Sequence, residues 1–335
     1  MSEGAPTITT VARLANVSVA SASRVLNGIR TTPDVLERVL GAAEQVGYVP
    51  NAAARSLRSR RTGQIAFAMP DVANPVYTAM VDSIQEIASA RGWRLMLHST
   101  GADVEDELAI VRDLKRRFVD GLILVSLRMT EAQAGELDGA AAPVVVIGRS
   151  TGAKVDTVRA KSRRGAAEAV RHLHSAGRRR IGFLNGPRGT VPAGPRRLGY
   201  LDGLRACGLE RDDSLVEEAL DYAVEPGRAA AERLLERTLP DAIFCASDVI
   251  AIGALTALRD AGLDIPGDVA VVGMDNTYLC DVTWPPLTSI DLGAAERARL
   301  AAELLLNRIE RPNRKPRAVD VEPRLVVRKS CGATR

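Results

Sequence analysis

From Gln64 onward the chain repeats one pattern, a short apolar run followed by an amphipathic stretch. The apolar runs are Gln64–Ala68, Trp93–His98, Gly121–Val125, Val144–Ile147, Arg180–Leu184, Ala242–Cys245 and Val269–Val272. Between them lie segments with helical spacing of apolar residues, such as Tyr77–Ala90, Glu105–Arg117, Ser162–Ala176, Arg197–Cys207, Arg228–Arg237 and Val249–Ala261. A continuous apolar run flanked by amphipathic helices reads as a strand buried on both faces, and such strands form parallel sheets covered by helices on each side. The expected fold class is therefore α/β and doubly wound. Two sheets fit the length better than one, the first ending near Thr157 and the second starting near Arg180. Ligands bind such folds at the carboxyl ends of the strands and, between two lobes, in the cleft. Aromatic residues make up 3% of the chain, so its cores must be built from Ala, Val, Leu and Ile.

The first fifth of the chain is different. The formal net charge is +4, and all of it falls in residues 1–62, which hold eight Arg, no Lys and four acids. The remaining basic and acidic side chains balance. A small basic segment joined to a large neutral body suits a polyanion-binding head. A solvated basic tail would be low in complexity, whereas residues 7–57 are patterned like folded helices.

Thr7 can cap a helix running to Ala15, with Ile8, Val11, Ala12 and Ala15 on one face. Asn16-Val17 makes a turn. Ser18 caps a second helix to about Leu26, stopped by Asn27-Gly28. Thr32-Pro33-Asp34 opens a third, with Leu36, Val39, Leu40, Ala43 and Val46 as its expected buried stripe. Two short helices joined by a tight turn, with a third packed on them, make a helix-turn-helix. The second helix is then the one that enters the major groove. Its Ser18, Ser21 and Ser23, with Asn27, suit phosphate oxygens. Arg24 suits bidentate binding of guanine, against the plainer alternative of a surface salt bridge. Val19 and Ala20 can touch a thymine methyl.

The string Thr7-Ile8, Val11-Ala12, Leu14-Ala15-Asn16-Val17-Ser18 and Ser23-Arg24-Val25-Leu26-Asn27-Gly28 resembles the head of the lactose-repressor (LacI/GalR) family of bacterial transcriptional regulators. Gly47-Tyr48-Val49-Pro50-Asn51-Ala52-Ala53-Ala54-Arg55-Ser56-Leu57 is similar to that family's hinge helix. The resemblance implies that Asn51, Ala54, Arg55 and Leu57 contact DNA. Leu57 would wedge into the central base step from the minor groove with Ala54 beside it, and an apolar wedge of this kind bends DNA.

The resemblance continues through Asp71-Val72-Ala73-Asn74-Pro75, Asp120-Gly121-Leu122-Ile123, Asn185-Gly186-Pro187, Ala246-Ser247-Asp248, Gly273-Met274-Asp275-Asn276 and Pro323-Arg324-Leu325. It covers essentially the whole chain in order. It implies a helix-turn-helix domain over 1–50, a hinge helix and linker over 51–63, and a two-lobed, periplasmic-binding-protein-like (type I) body over 64–335. Lobe 1 would hold 64–160 and 292–320, and lobe 2 would hold 161–291 and 321–335, with crossovers near Ala160, Asp291 and Val321. Carried over position by position, Arg196 and Asp275 bind effector hydroxyls and Tyr222 stacks on the effector. Tyr77, Arg149, Thr190 and Ser247 surround them. The plainer alternatives are a solvated Arg196, a turn residue at Asp275 and a core Tyr222. The chain departs from the family at Lys161, where an acidic residue is frequent, and at Met274, where an aromatic is frequent.

No GxSxG, P-loop or HExxH pattern occurs. His172 and His174 are two apart on an expected helix and point to different faces, so a shared metal is not expected. Cys207, Cys245, Cys280 and Cys331 are scattered, which fits a reducing compartment. No apolar run is long enough to span a bilayer, and residues 1–10 lack the apolar core of a signal peptide. The expectation is a cytoplasmic, nucleoid-associated homodimer that is not an enzyme and needs no cofactor. It would bind a near-palindromic double-stranded operator as a repressor controlled by a small molecule, most simply a carbohydrate. The rival readings are a nucleoside- or purine-responsive regulator, one controlled by a partner protein and, more distantly, an α/β enzyme fused to a DNA-binding head. A sugar-transport binding protein would share the body and lack the head.

Overall fold

The computed structural model describes residues 6–49, 61–150 and 152–332. The chain divides into two compact units, Met1–Thr62 and Gly63–Arg335. The hinge segment, and with it Asn51, Ala54, Arg55 and Leu57, lies outside the described residues.

The first unit contains α1 (Ile8–Leu14), α2 (Val19–Leu26) and α3 (Pro33–Gln45). Thr7 caps α1 in a reciprocal box with Thr10, and the Ser18 hydroxyl accepts the Ser21 amide at 3.1 Å to cap α2. Between them Asn16 takes the left-handed conformation (φ 49°), which a short amide side chain tolerates. Val11, Ala12, Ala15, Ala22, Val25, Val39, Ala42 and Ala43 form the core. Two expectations for α3 need correction. Val39, Ala43 and Val46 face the core as expected, but Leu36 and Leu40 are exposed, and Val35 and Ala42 are turned inward in their place. Thr32 stands at the cap position, but its side chain makes no capping bond.

The second unit holds two six-stranded sheets. The first carries β1 (Gln64–Met69), α4 (Pro75–Ala90), β2 (Arg94–Ser99), α5 (Val104–Asp113), β3 (Leu122–Leu124), α6 (Glu131–Asp138), β4 (Val144–Ile147) and β5 (Asp156–Ala160). The second carries α7 (Ser162–Ser175), β6 (Ile181–Asn185), α8 (Ala193–Ala206), β7 (Val216–Glu218), α9 (Val224–Arg237), β8 (Ala242–Cys245), α10 (Asp248–Asp260), β9 (Ala270–Met274), α11 (Leu279–Val282) and β10 (Thr288–Asp291). The chain then returns through α12 (Ala294–Glu310) and β11 (Ala318–Val321) to the first sheet and ends the second with β12 (Arg324–Val326). The strand orders are β11-β5-β4-β3-β1-β2 and β12-β10-β9-β8-β6-β7. All pairings are parallel except β10 with β12.

The central strands of each sheet are buried on both faces, as apolar runs demand, whereas the expected apolar run at β2 is largely exposed, with Met96 and Leu97 at the surface, because β2 is an edge strand. In β1, Ile65, Phe67 and Met69 pack with α4 and α12, while Ala66 and Ala68 face the core under α5 and α6. In the second sheet, Phe183 stacks between Tyr200 and Phe244 at centroid distances of 4.9 and 5.1 Å on the α7–α8 face. Leu184, Ile243 and Val271 meet α9 and α10 on the other face. Two lobes are thus crossed three times by the chain, after Ala160, Asp291 and Val321.

Candidate functional site

On α2, Val19, Ala20 and Arg24 are exposed. Arg24 forms no ion pair with a described residue. The polar residues beside it are engaged within the helix. Ser18 Oγ lies 3.0 Å from Ser21 Oγ, and Asn27 Nδ2 donates to the Ser23 carbonyl at 2.6 Å and contacts Ser23 Oγ at 3.3 Å. This helix presents a small apolar step and Arg24, which has no ion pair among the described residues, on a turn capped by Ser18.

Between the lobes of the second unit is a cavity of about 110 Å³. Its polar wall comes from loops that follow strand ends. Arg196 stands in the first turn of α8, Tyr222 follows β7, Ser247 follows β8 and Asp275 follows β9. Tyr77 reaches it from α4 and Arg297 from the first turn of α12. Arg196 Nη2 lies 3.6 Å from Asp275 Oδ1, both side chains about nine-tenths buried. The Arg196 guanidinium carbon is 5.6 Å from the centre of the Tyr222 ring. Arg196 Nε is buried without a partner among the described residues.

The supports are specific. Thr190 Oγ1 donates to the Pro187 carbonyl at 2.8 Å, so in its 3.2 Å contact with Tyr222 the phenol donates. A side chain at Gly186 would put its Cβ 2.1 Å from Tyr222 Cζ, so glycine there makes room for the ring. Asp275 has φ 114°, a conformation few non-glycine residues adopt. Its loop is held by Asp248, which accepts the Thr277 amide at 2.6 Å and the Ser289 hydroxyl at 2.6 Å. The Asn276 amide donates to Ser289 Oγ at 3.0 Å, and the Asp275 amide to the Ile290 carbonyl at 2.8 Å.

Burial governs the electrostatics. It pushes the Asp275 carboxyl up to about 7, outweighing the attraction of Arg196 and Arg297. It raises the Tyr77 and Tyr222 phenols and lowers the Arg297 guanidinium from their ordinary values. The pocket thus offers planar cationic donors, a carboxylate acceptor poised near neutrality and an aromatic face. Groups of this kind can hydrogen-bond vicinal hydroxyls and cover an apolar face.

Tyr77, Arg196, Tyr222, Ser247 and Asp275 therefore meet at one cavity. Thr190 reaches it through Tyr222. Ser247 spends its hydroxyl on the Ile250 amide at 3.3 Å, as the cap of α10. Arg149 does not join them, and lines an adjoining cavity instead. Sequence reasoning missed Arg297, Asp248, Ser289 and Gly186. Asp248 and Gly186 lie within stretches that carry the family resemblance, whereas a lone Arg in a helix gives no signal.

A helix-turn-helix head carried on a two-lobed body with an interlobe ligand cavity defines a ligand-controlled DNA-binding regulator. The pattern "Bacterial regulatory proteins, lacI family" matches residues 7–51, and "Periplasmic binding protein-like domain" matches 170–331. The HTH-type transcriptional regulator CelR of Thermobifida fusca is 35% identical over 335 residues, covering 97% of this chain and 98% of the relative. A CelR–cellobiose complex superposes with TM-score 0.75 at 33% identity, covering 97% and 99% of the two chains. The lac repressor dimer bound to operator and the anti-inducer ONPF gives TM-score 0.87 at 26% identity, covering 98% and 99%. The chain belongs to the lacI family of bacterial transcriptional regulators.

Proposed function

We propose that this regulator is a homodimeric repressor whose grip on a near-palindromic operator is switched by a polyol, a sugar, bound between the lobes. The observation that carries this reading is the buried Arg196–Asp275 pair, with one unmet guanidinium donor and the Tyr222 ring beside it. Arg196 and Asp275 bind hydroxyls, Tyr222 covers the apolar face of the ring, and Tyr77, Thr190 and Ser247 shape the wall. Arg149 acts from the adjoining cavity. Ligand binding closes the lobes and rearranges the dimer, and linkage requires that operator and ligand change each other's affinity by the same factor.

On DNA, Arg24 reads a base, Val19 and Ala20 pack on a base edge, and Ser18, Ser21, Ser23 and Asn27 shape the contact with phosphates. Asn51, Ala54, Arg55 and Leu57 complete the interface, with Leu57 wedged in the central step. The protein works in the cytoplasm at the nucleoid and catalyses nothing.

A thermal-shift screen of mono- and disaccharides, nucleosides and purines tests the ligand class. A ligand at a hundredfold excess over its Kd adds about 2.7 kcal/mol. A sugar hit that is lost in Asp275→Ala, while operator binding by fluorescence anisotropy survives, supports the reading. Loss of both would give Asp275 a folding role, and a purine hit would replace the sugar. Leu57→Ala that bends DNA like the parent would remove the wedge.

A further inference from the structure

Past Gly148, Val191, Pro192, Arg196 and Arg297 the ligand cavity opens into a second of about 570 Å³. Its charge is one-sided. Lobe 1 contributes Arg149 and Arg159, and the start of α7 contributes Lys161, Arg163 and Arg164. Arg196 and Arg297 stand at the junction, and Asp202 and Asp320 are the carboxylates on this wall among the described residues.

Part of this charge is neutralised. Arg159 pairs with Asp320 at 2.7 Å and Arg163 with Asp202 at 2.6 Å, while Lys161 and Arg164 share the one carboxylate of Glu322. Arg149 pairs with no described carboxylate. Arg196, 7% exposed, keeps its buried Nε unpartnered. Cations therefore outnumber carboxylates even after the pairs are taken together.

The backbone has the same sign. Both α7 and α8 begin on this wall, and neither has a side-chain cap or an acid in its first turn. A helix start carries partial positive charge, and cations placed there oppose the dipole. Lys161 also stands where the family resemblance leads one to expect an acid, so one substitution reverses the sign at the cap of α7.

Resting on the polyol site proposed above, we infer that the effector is an anionic polyol. Its hydroxyls lie at Arg196 and Asp275. Its carboxylate or phosphate ester lies against Lys161, Arg149 and the uncapped start of α7. A neutral sugar would leave Arg149, and the excess of cations over carboxylates on this wall, without a counter-charge from the ligand in a partly enclosed space.

The test uses the full-length protein in thermal-shift and calorimetric titrations at low and high salt. The probes are neutral mono- and disaccharides, the matching aldonates and uronates, and the sugar phosphates, with inorganic phosphate and sulfate as ion controls. A sugar acid or sugar phosphate should bind where its neutral parent does not, more weakly as salt rises. The carboxylate and phosphate arms identify the anion. Arg149→Gln, at an exposed side chain without a described ion pair, should weaken that ligand roughly ten- to hundredfold. Lys161→Glu should do the same, and Lys161→Arg should retain binding. Neutral sugars binding as tightly as their acids, unaffected by Arg149→Gln and Lys161→Glu, would overturn the anionic inference and leave the polyol site standing. Phosphate or sulfate stabilising the protein as strongly as any sugar derivative would reduce the cavity to counter-ion binding. No binding by charged or neutral sugars would overturn both.

Discussion

Two buried arginine–aspartate pairs in the same body differ in how completely they are satisfied. In lobe 1, Arg308 donates to Asp156 through Nε at 2.8 Å and pairs through Nη2 at 2.7 Å. Its remaining donors reach the carbonyls of Pro312, Arg314 and Lys315, and the second Asp156 oxygen accepts the Arg317 amide at 2.7 Å. This pair locks α12 to β5 and to the approach to β11. Arg196 and Asp275 instead meet at 3.6 Å, with a buried donor unmet and positive φ at the aspartate. Unmet donors and backbone strain of about 1–3 kcal/mol persist where the surrounding structure enforces them, and they concentrate at ligand sites. The satisfied pair belongs to the scaffold, and the unsatisfied one in the cavity is the pair on which the proposed ligand site rests.

The contrast breaks most directly at Asp156. Asp156→Ala strands the Arg308 charge and should cost about 3–5 kcal/mol in urea unfolding while the folded fraction keeps its ligand response. A loss of under about 1 kcal/mol would mean that the bonding of Arg308 does not matter, since surface changes fall in that range. Asp275→Asn should act the other way. Ligand affinity should fall roughly ten- to hundredfold by calorimetry, with much less loss of stability than Asp156→Ala. Equal destabilisation by the two variants would erase the distinction.

The same division runs through α2. Ser18 is engaged as a cap, so Ser18→Ala should lower the stability of the isolated head by about 1 kcal/mol. Arg24 has no ion pair among the described residues, so Arg24→Ala should leave the melting temperature unchanged and cost about 1–3 kcal/mol of discrimination at one base position, read by anisotropy on operator variants.

The contrast can also be sharpened by pH. The raised Asp275 pKa means that the folded state binds more protons than the unfolded state between about 4 and about 7. The stabilising contribution of its protonated form is complete below the unfolded value and is lost as pH rises through about 7. Asp275→Asn should flatten that slope. A polyol that donates to the ionised carboxylate should bind more tightly at pH 8 than at pH 6, with proton release.

The central strands were legible because a strand buried on both faces must be an apolar run. β4 and β8 fall on their expected residues. β1, β2, β3, β6 and β9 lie within one or two residues of theirs, and the other strands were less visible. β7 reads Val-Glu-Glu, β11 reads Ala-Val-Asp-Val, and β10 carries the polar Thr288, Ser289 and Asp291. Edge strands are half solvated, and Ser289 is buried because it holds Asp248. In α3 the expected Val39, Ala43 and Val46 do face the core, while Leu36 and Leu40 do not, since Val35 and Leu36 are equally apolar and only packing chooses between them.

The sequence alone determined the class of the fold, the helix-turn-helix head and the family. Those depend on periodicity, capping residues and contiguous motifs, which are local and survive in one dimension. Tertiary structure decided which polar groups are left unsatisfied and what sign of charge the cavities carry. Arg149, Lys161, Arg196 and Arg297 come from four separate segments, and only the folding of two lobes against each other brings them to connected walls. Electrostatic free energy depends on distance and burial, and neither is set by separation along the chain.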